Sequence, residues 1–101
     1  MKIKNTFEKN FLNSKNILVT GASRGIGKEL ALTLSSYGAN IILHGRDEQA
    51  LDMVYDEIID TTETSPLIIQ CDLNDLNENK SQNIANVISK NVNILDGIIH
   101  N

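Results

Sequence analysis

Glycines stand at positions 21, 25 and 27, directly after the apolar run Ile17-Leu18-Val19 and directly before a stretch with helical spacing. A strand, a glycine turn and a helix start, in that order, aim free backbone N–H groups and the positive end of a helix dipole at an anion. Gly21 suits the tight turn, Gly25 lets a pyrophosphate approach the backbone, and Gly27 lets the helix pack closely on the strand. The spacing is G-x-x-x-G-x-G rather than G-x-G-x-x-G. It also fails as a Walker loop, because Gly21 and Gly27 are six apart and Lys28 is followed by Glu29 instead of Ser or Thr. The pattern argues for a dinucleotide and against a nucleoside triphosphatase.

The elements that must position this loop are readable from periodicity. Compact apolar runs recur at Ile17-Leu18-Val19, Ile41-Ile42-Leu43, Leu67-Ile68-Ile69 and Ile98-Ile99, and each gap has room for a helix and two loops. That is a βαβαβαβ pattern. Runs without alternation suit a parallel sheet covered on both faces. Between Gly25 and Tyr37, Ile26, Leu30 and Leu34 form an i, i+4, i+8 stripe, and Gly38 follows where a left-handed C-terminal cap belongs. Between Asp47 and Thr61, the set Leu51, Val54, Tyr55, Ile58 and Ile59 predicts a second helix, with Asp47 and Glu48 at its positive end. A third helix is expected from about Glu78 to Asn91, with Ile84, Val87 and Ile88 on one face.

Composition bounds the partners. The 101 residues are 41% hydrophobic and 22% charged, which fits one small globular domain or part of a larger one. Thirteen acidic against nine basic side chains give a net charge of −4, and aromatic content of 4% leaves few stacking platforms, so nucleic acid is not an expected partner. No apolar run approaches the ~18 residues of a membrane span. The leader MKIKNTFEKNFLNSKN is basic but polar residues interrupt it, so it is not a signal peptide. Residues 1–14 are expected to form a surface arm pinned by Phe7, Phe11 and Leu12, ahead of a domain over 15–101. A single cysteine cannot form an internal disulfide, and the expected compartment is the reducing cytoplasm.

Thr20-Gly21-Ala22-Ser23-Arg24-Gly25-Ile26-Gly27 resembles the short-chain dehydrogenase/reductase motif T-G-x-x-x-G-[IL]-G at every fixed position. Cys71-Asp72-Leu73 is similar to the family's D-[LV] after the third strand, and Leu95-Asp96-Gly97-Ile98-Ile99-His100-Asn101 to the approach to N-N-A-G in an H-N-A-G variant. The short leader and the His-Asn ending resemble the YciK-type branch. The resemblance implies an α/β, partial Rossmann fold: a doubly wound parallel sheet of order 3-2-1-4, with the first two helices on one face and the third on the other. The cofactor would cross the carboxyl ends of strands 1 and 4.

It further implies cofactor-binding roles for Gly21, Ser23, Arg24, Gly25, Ile26, Gly27, Arg46, Asp72, Leu73 and Asn101. Asp72 would contact the adenine amino group, and Asn101 would tie its strand to neighbouring backbone near the ribose. After the second strand, Gly45 stands where a carboxylate would bond the ribose hydroxyls of NAD, while Arg46, helped by Arg24, could hold the 2′-phosphate of NADP. NADP is therefore the expected cofactor, and NAD the weaker one. The family's catalytic Ser and Tyr-x-x-x-Lys lie after N-N-A-G. Tyr37 and Tyr55 are followed at i+4 by Ile41 and Ile59, so no catalytic residue is assigned.

The implied activity is that of an oxidoreductase moving hydride between NADP(H) and a small carbonyl or alcohol substrate, with this chain as its N-terminal part and a homo-oligomeric whole. The alternative is a non-catalytic NADP-sensing module. A nucleotide-sugar epimerase is contradicted by the glycine spacing. Cys71 is expected to be a small buried hydrophobe, His44 and His100 to be structural with no metal site, and Asp56, Glu57 and Asp60 to form a solvated face.

Overall fold

The computed structural model describes residues 11–72, 74, 77–92 and 94–100. Within them strands and helices alternate as β1 (Asn16–Val19), α1 (Gly25–Ser36), β2 (Asn40–Gly45), α2 (Glu48–Thr61), β3 (Leu67–Gln70), α3 (Glu78–Asn91) and β4 (Gly97–Ile99). All pairings are parallel and the strand order is β3-β2-β1-β4, the order expected from the sequence. Ile17 pairs with Ile41 on one side and Gly97 on the other, so β1 runs between β2 and β4.

Successive residues of each apolar run face opposite sides of the sheet, which divides the core into two layers. Val19, Ile41 and Leu43, with Ile17, Ile68 and Ile99 at the margin, meet Ala31 of α1 and Leu51, Val54 and Ile58 of α2. Ile42 and Ile69, with Leu18 and Leu67, meet Ile84 and Ile88 of α3. The first two helices therefore cover one face and the third covers the other, as the right-handed crossover rule requires.

The helices rotate away from the sequence-based stripes in instructive ways. In α1 the buried residues are Gly27, Ala31 and Ser35, not the expected Ile26-Leu30-Leu34 row, and Ile26 is 70% exposed. The small side chains let the helix axis approach the sheet, while Leu32 and Leu34 pack on the margin of the core. In α2 the expected face is present through Leu51, Val54 and Ile58, whereas Ile59 turns outward. Val87 of α3 likewise lies outside the packed row of Ile84 and Ile88.

Helix ends are set by local chemistry. Gly38 adopts φ +96°, and the N–H groups of Gly38 and Ala39 donate to the carbonyls of Ser35 and Leu34 at 3.0 and 3.1 Å, a Schellman stop for α1. The Asp47 carboxylate accepts from the Ala50 N–H at the start of α2, and the Asn77 side-chain oxygen accepts from the Lys80 N–H at the start of α3. At the amino ends of the strands, the Asp96 carboxylate accepts the Asn16 N–H at 2.7 Å and the Asp96 N–H donates to the Asn16 carbonyl at 2.8 Å. This reciprocal pair holds the entry to β4 against β1.

Before β1, Leu12 packs against the core and its N–H donates to the Tyr37 carbonyl, while the Phe11 and Tyr37 rings lie 5.2 Å apart. Phe7 lies outside the described residues.

Candidate functional site

The chain leaves β1 at Val19 and turns across the top of the sheet. The Thr20 N–H donates to the Ile99 carbonyl at 3.0 Å, which continues the β1–β4 ladder one step. Gly21 then takes φ +60°, a left-handed conformation that a side chain would strain. The buried Ala22 sends its N–H to the His44 carbonyl at 2.8 Å, anchoring the loop on the end of β2. Arg24 occupies the N-cap position of α1 in an extended conformation without making a side-chain cap hydrogen bond. Gly25 opens the helix at φ +61°, and a Cβ built there would meet nothing within 4 Å. The backbone conformation demands glycine at this point, and the space beside it stays open to a ligand.

The other walls come from the ends of β2 and β3. The Cys71 N–H donates to the Gly45 carbonyl at 2.8 Å and the Gln70 side-chain amide to the Arg46 carbonyl at 2.8 Å, so the two strand exits stay paired. The Asp72 carboxylate accepts the Asn74 N–H at 2.9 Å. Thr20, Gly21, Ser23 and Arg24 from the loop, His44 and Gly45 from β2, Arg46 just after it, and Cys71 and Asp72 after β3 enclose a cleft of about 330 Å³. It opens at the carboxyl ends of the strands, where open α/β sheets bind ligands. A cleft of about 310 Å³ at the amino ends, around Asn16, Asn40 and Pro66, has no charged side chain in its lining.

The charges favour an anion with a neutral or weakly polar extension. Arg24 and Arg46 border the cleft together with the start of a helix whose first turn has no acidic residue. Asp72, half-buried, borders it as well. His44 is buried, and burial pushes its imidazole below the usual histidine value. The nearby His100 pushes the same way, while the Cys71 backbone opposes without completing a hydrogen bond of good geometry.

Of the residues expected to hold cofactor, Gly21, Ser23, Arg24, Arg46 and Asp72 come together on this cleft. Gly25 and Ile26 lie exposed at the start of α1, next to it in sequence, and Gly27 is buried beneath the helix. Leu73 and Asn101 lie outside the described residues. The family profile described as short chain dehydrogenase matches residues 15–101.

The chain belongs to the short-chain dehydrogenase family.

Relatives place it within that family. The uncharacterized oxidoreductase YciK of Escherichia coli K12 is 42% identical over 94 residues, which is 93% of this chain and 37% of YciK. A short-chain dehydrogenase of Shigella flexneri 2a strain 301, solved with NADP, superposes with a TM-score of 0.88 at 42% identity, covering 92% of this chain and 39% of that one. A short-chain dehydrogenase of Escherichia coli CFT073, solved with NADPH, gives the same TM-score of 0.88, identity of 42% and coverage of 92% and 39%. The chain thus spans less than two-fifths of the length of each of these relatives. The resemblance to the YciK-type branch read from the leader and the His-Asn ending agrees with the YciK match.

For a short-chain dehydrogenase segment, the cleft includes residues the sequence reading left out of the site: Thr20, His44, Gly45 and Cys71. The signal for His44 and Gly45 was their position directly before Arg46, at the exit of a central strand. Tyr37 caps the carboxyl end of α1, the opposite end of the helix from the cleft, and its ring lies tilted against Phe11. No group of three or more His, Cys, Asp or Glu side chains that could hold a metal occurs among the described residues. None of their helices is long and apolar enough to cross a membrane.

Proposed function

We propose that the protein is an NADP(H)-dependent oxidoreductase acting on a small carbonyl or alcohol substrate. The observation that carries this reading is the convergence of Arg24, Arg46 and the start of α1 on one cleft whose β2 wall ends in Gly45 instead of a carboxylate. A Cβ at position 45 would lie 3.1 Å from the Leu51 Cδ2, so a side chain there would require buried Leu51 to give by a few tenths of an ångström. The site fits a dinucleotide with an additional phosphate better than one that needs a carboxylate for its ribose hydroxyls. The NADP and NADPH complexes of the Shigella and Escherichia coli relatives support the same reading.

In this proposal the bound dinucleotide supplies the hydride acceptor or donor at its nicotinamide. The protein's own residues bind and orient it. N–H groups at the start of α1 receive the pyrophosphate, Arg46 and Arg24 receive the 2′-phosphate, and Asp72 takes the adenine amino group. Ser23, Ile26, Leu73 and Asn101 complete the cofactor contacts. The family's Tyr-x-x-x-Lys pair has no match within residues 15–101, which serve as the cofactor-binding portion, preceded by the arm over 1–14. The free, buried Cys71 suits a cytoplasmic setting, and the complete enzyme is proposed to be a homo-oligomer.

The test is calorimetry and turnover on the full-length protein. NADP(H) binding at least about tenfold tighter than NAD(H), with NADPH oxidised by members of a carbonyl panel, supports the proposal. Equal affinity or a preference for NAD(H) overturns the cofactor assignment. Tight NADP(H) binding with no turnover across the panel would favour a cofactor-sensing module.

A further inference from the structure

His44 is a buried polar side chain that neither the fold nor the proposed reaction uses. It sits near the end of β2, opposite Ile69 in the β2–β3 register, on the sheet face that α3 covers. The residue is 9% exposed, and among the described residues neither Nδ1 nor Nε2 has a hydrogen-bond partner. Buried polar atoms in folded proteins are nearly always paired, so two unpaired nitrogens on one ring need an explanation. The Cys71 backbone and His100 both act on the ring without either making a hydrogen bond to it, and His100 Nδ1 lies 3.3 Å from Thr20 Oγ1.

The ring stands between two hollows. On one side is the polar cleft with Arg24, Arg46 and Asp72. On the other is an apolar pocket of about 250 Å³ floored by Leu18 and Ile69 and walled by Ile84 and Ala85 of α3. A ligand matching both has an anionic portion beside a flat, weakly polar ring, and a phosphorylated adenosine has both. We propose that His44 is an adenosine-recognition residue whose ring hydrogen-bonds the adenosine half of the bound dinucleotide from the boundary between these two hollows. The assignment rests on the nucleotide reading above. Burial keeps the imidazole neutral near pH 7, which leaves it one donor and one acceptor. Adenine edges and ribose hydroxyls offer the complementary acceptor and donor groups.

The experiment uses the full-length protein with adenosine 2′,5′-bisphosphate as a probe of the adenosine half and reduced nicotinamide mononucleotide as a probe of the other. His44→Leu should weaken the bisphosphate by roughly 5–10-fold, the loss of one ordinary hydrogen bond, and leave the mononucleotide unchanged. His44→Gln, which restores a donor and an acceptor, should recover most of that loss. In the unmutated protein the His44 ring 15N resonances should shift when the bisphosphate is added, a readout independent of whether any variant folds. Unchanged affinity in a folded His44→Leu protein, or unmoved ring resonances at saturation, overturns the role of His44 alone. Failure of the unmutated protein to bind either NADPH or the bisphosphate overturns the nucleotide reading and this proposal with it.

Discussion

The Ala22 N–H donates to the His44 carbonyl across 2.8 Å, joining the glycine loop to the exit of β2. Two segments more than twenty residues apart in sequence thereby become one wall of a cleft, with Arg24 on the first and Arg46 two residues beyond the anchor on the second. Geometry that would otherwise depend on two independent loops is held by a buried backbone bond. The consequences can be measured residue by residue.

Arg46→Asp replaces a cation on the cleft with an anion next to Gly45. NADP(H) affinity should fall by about 1.5–3 kcal/mol, the loss of a charge-assisted bond, while NAD(H) affinity rises relative to it. Calorimetry on the full-length protein checks this, and an unchanged NADP(H) affinity removes Arg46 from the site.

Asp72→Ala acts on the part of the cofactor that NAD and NADP share. Both should weaken by a similar factor, with some added loss because the Asn74 N–H gives up its acceptor. A loss seen with NADP(H) and absent with NAD(H) contradicts the adenine assignment of Asp72.

Asp96→Ala removes the carboxylate that receives the Asn16 N–H at 2.7 Å and should destabilise the β1–β4 pairing by about 1 kcal/mol. Lys28→Ala breaks an ion pair to Glu57 that is 4.0 Å long and partly exposed at both ends, and should change stability by less than about 0.5 kcal/mol. Urea unfolding of the two variants gives the comparison, and a larger loss for Lys28→Ala would reverse the ranking.

Stability should fall with acid through His44. Its imidazole has a lower proton affinity folded than unfolded, because burial disfavours the charged ring and His100 adds to the effect. Above the unfolded value near 6.5 both states are neutral there and the stabilising contribution is complete. As pH falls below 6.5 the unfolded chain takes up the proton first, so the contribution is lost down through the lowered folded value. Denaturation midpoints followed from pH 7.5 to 5 should show this slope, and His44→Gln should flatten it. An identical slope in the variant would assign the effect to other groups.

The 101 residues expressed by themselves should associate and should not turn over NADPH. Among the described residues Ile94 and Ile98 are 67% and 61% exposed, β4 pairs only with β1, and α3 has no buried residue. An unpaired parallel edge beside exposed isoleucines invites pairing with other chains. A sharp thermal transition in a monodisperse monomer would show instead that the segment is self-sufficient, and NADPH oxidation by it would place chemistry within these residues.

Much of this protein was legible in its sequence because the deciding interactions are short in range. The positive φ values of Gly21, Gly25 and Gly38 are properties of single residues, and the Asp47 cap reaches only to Ala50. The apolar runs marked each strand, and the handedness of crossovers then left few topologies for a βαβαβαβ chain. The family motif added Arg46 and Asp72, which the fold brings to the cleft. The rotation of α1 was not legible: its large apolar residues suggested Ile26, Leu30 and Leu34, but the tertiary contact buries Gly27, Ala31 and Ser35. Periodicity rewards bulk, whereas a helix lying close on a sheet selects small side chains on the contacting face. His44 shows the same division. Its type and position at a strand exit were plain in the sequence, but its burial and its place between a charged cleft and an apolar pocket arise only when β1, β2, β3 and α3 are assembled. Solvent exclusion is a property of the assembled fold, and no local sequence pattern encodes it.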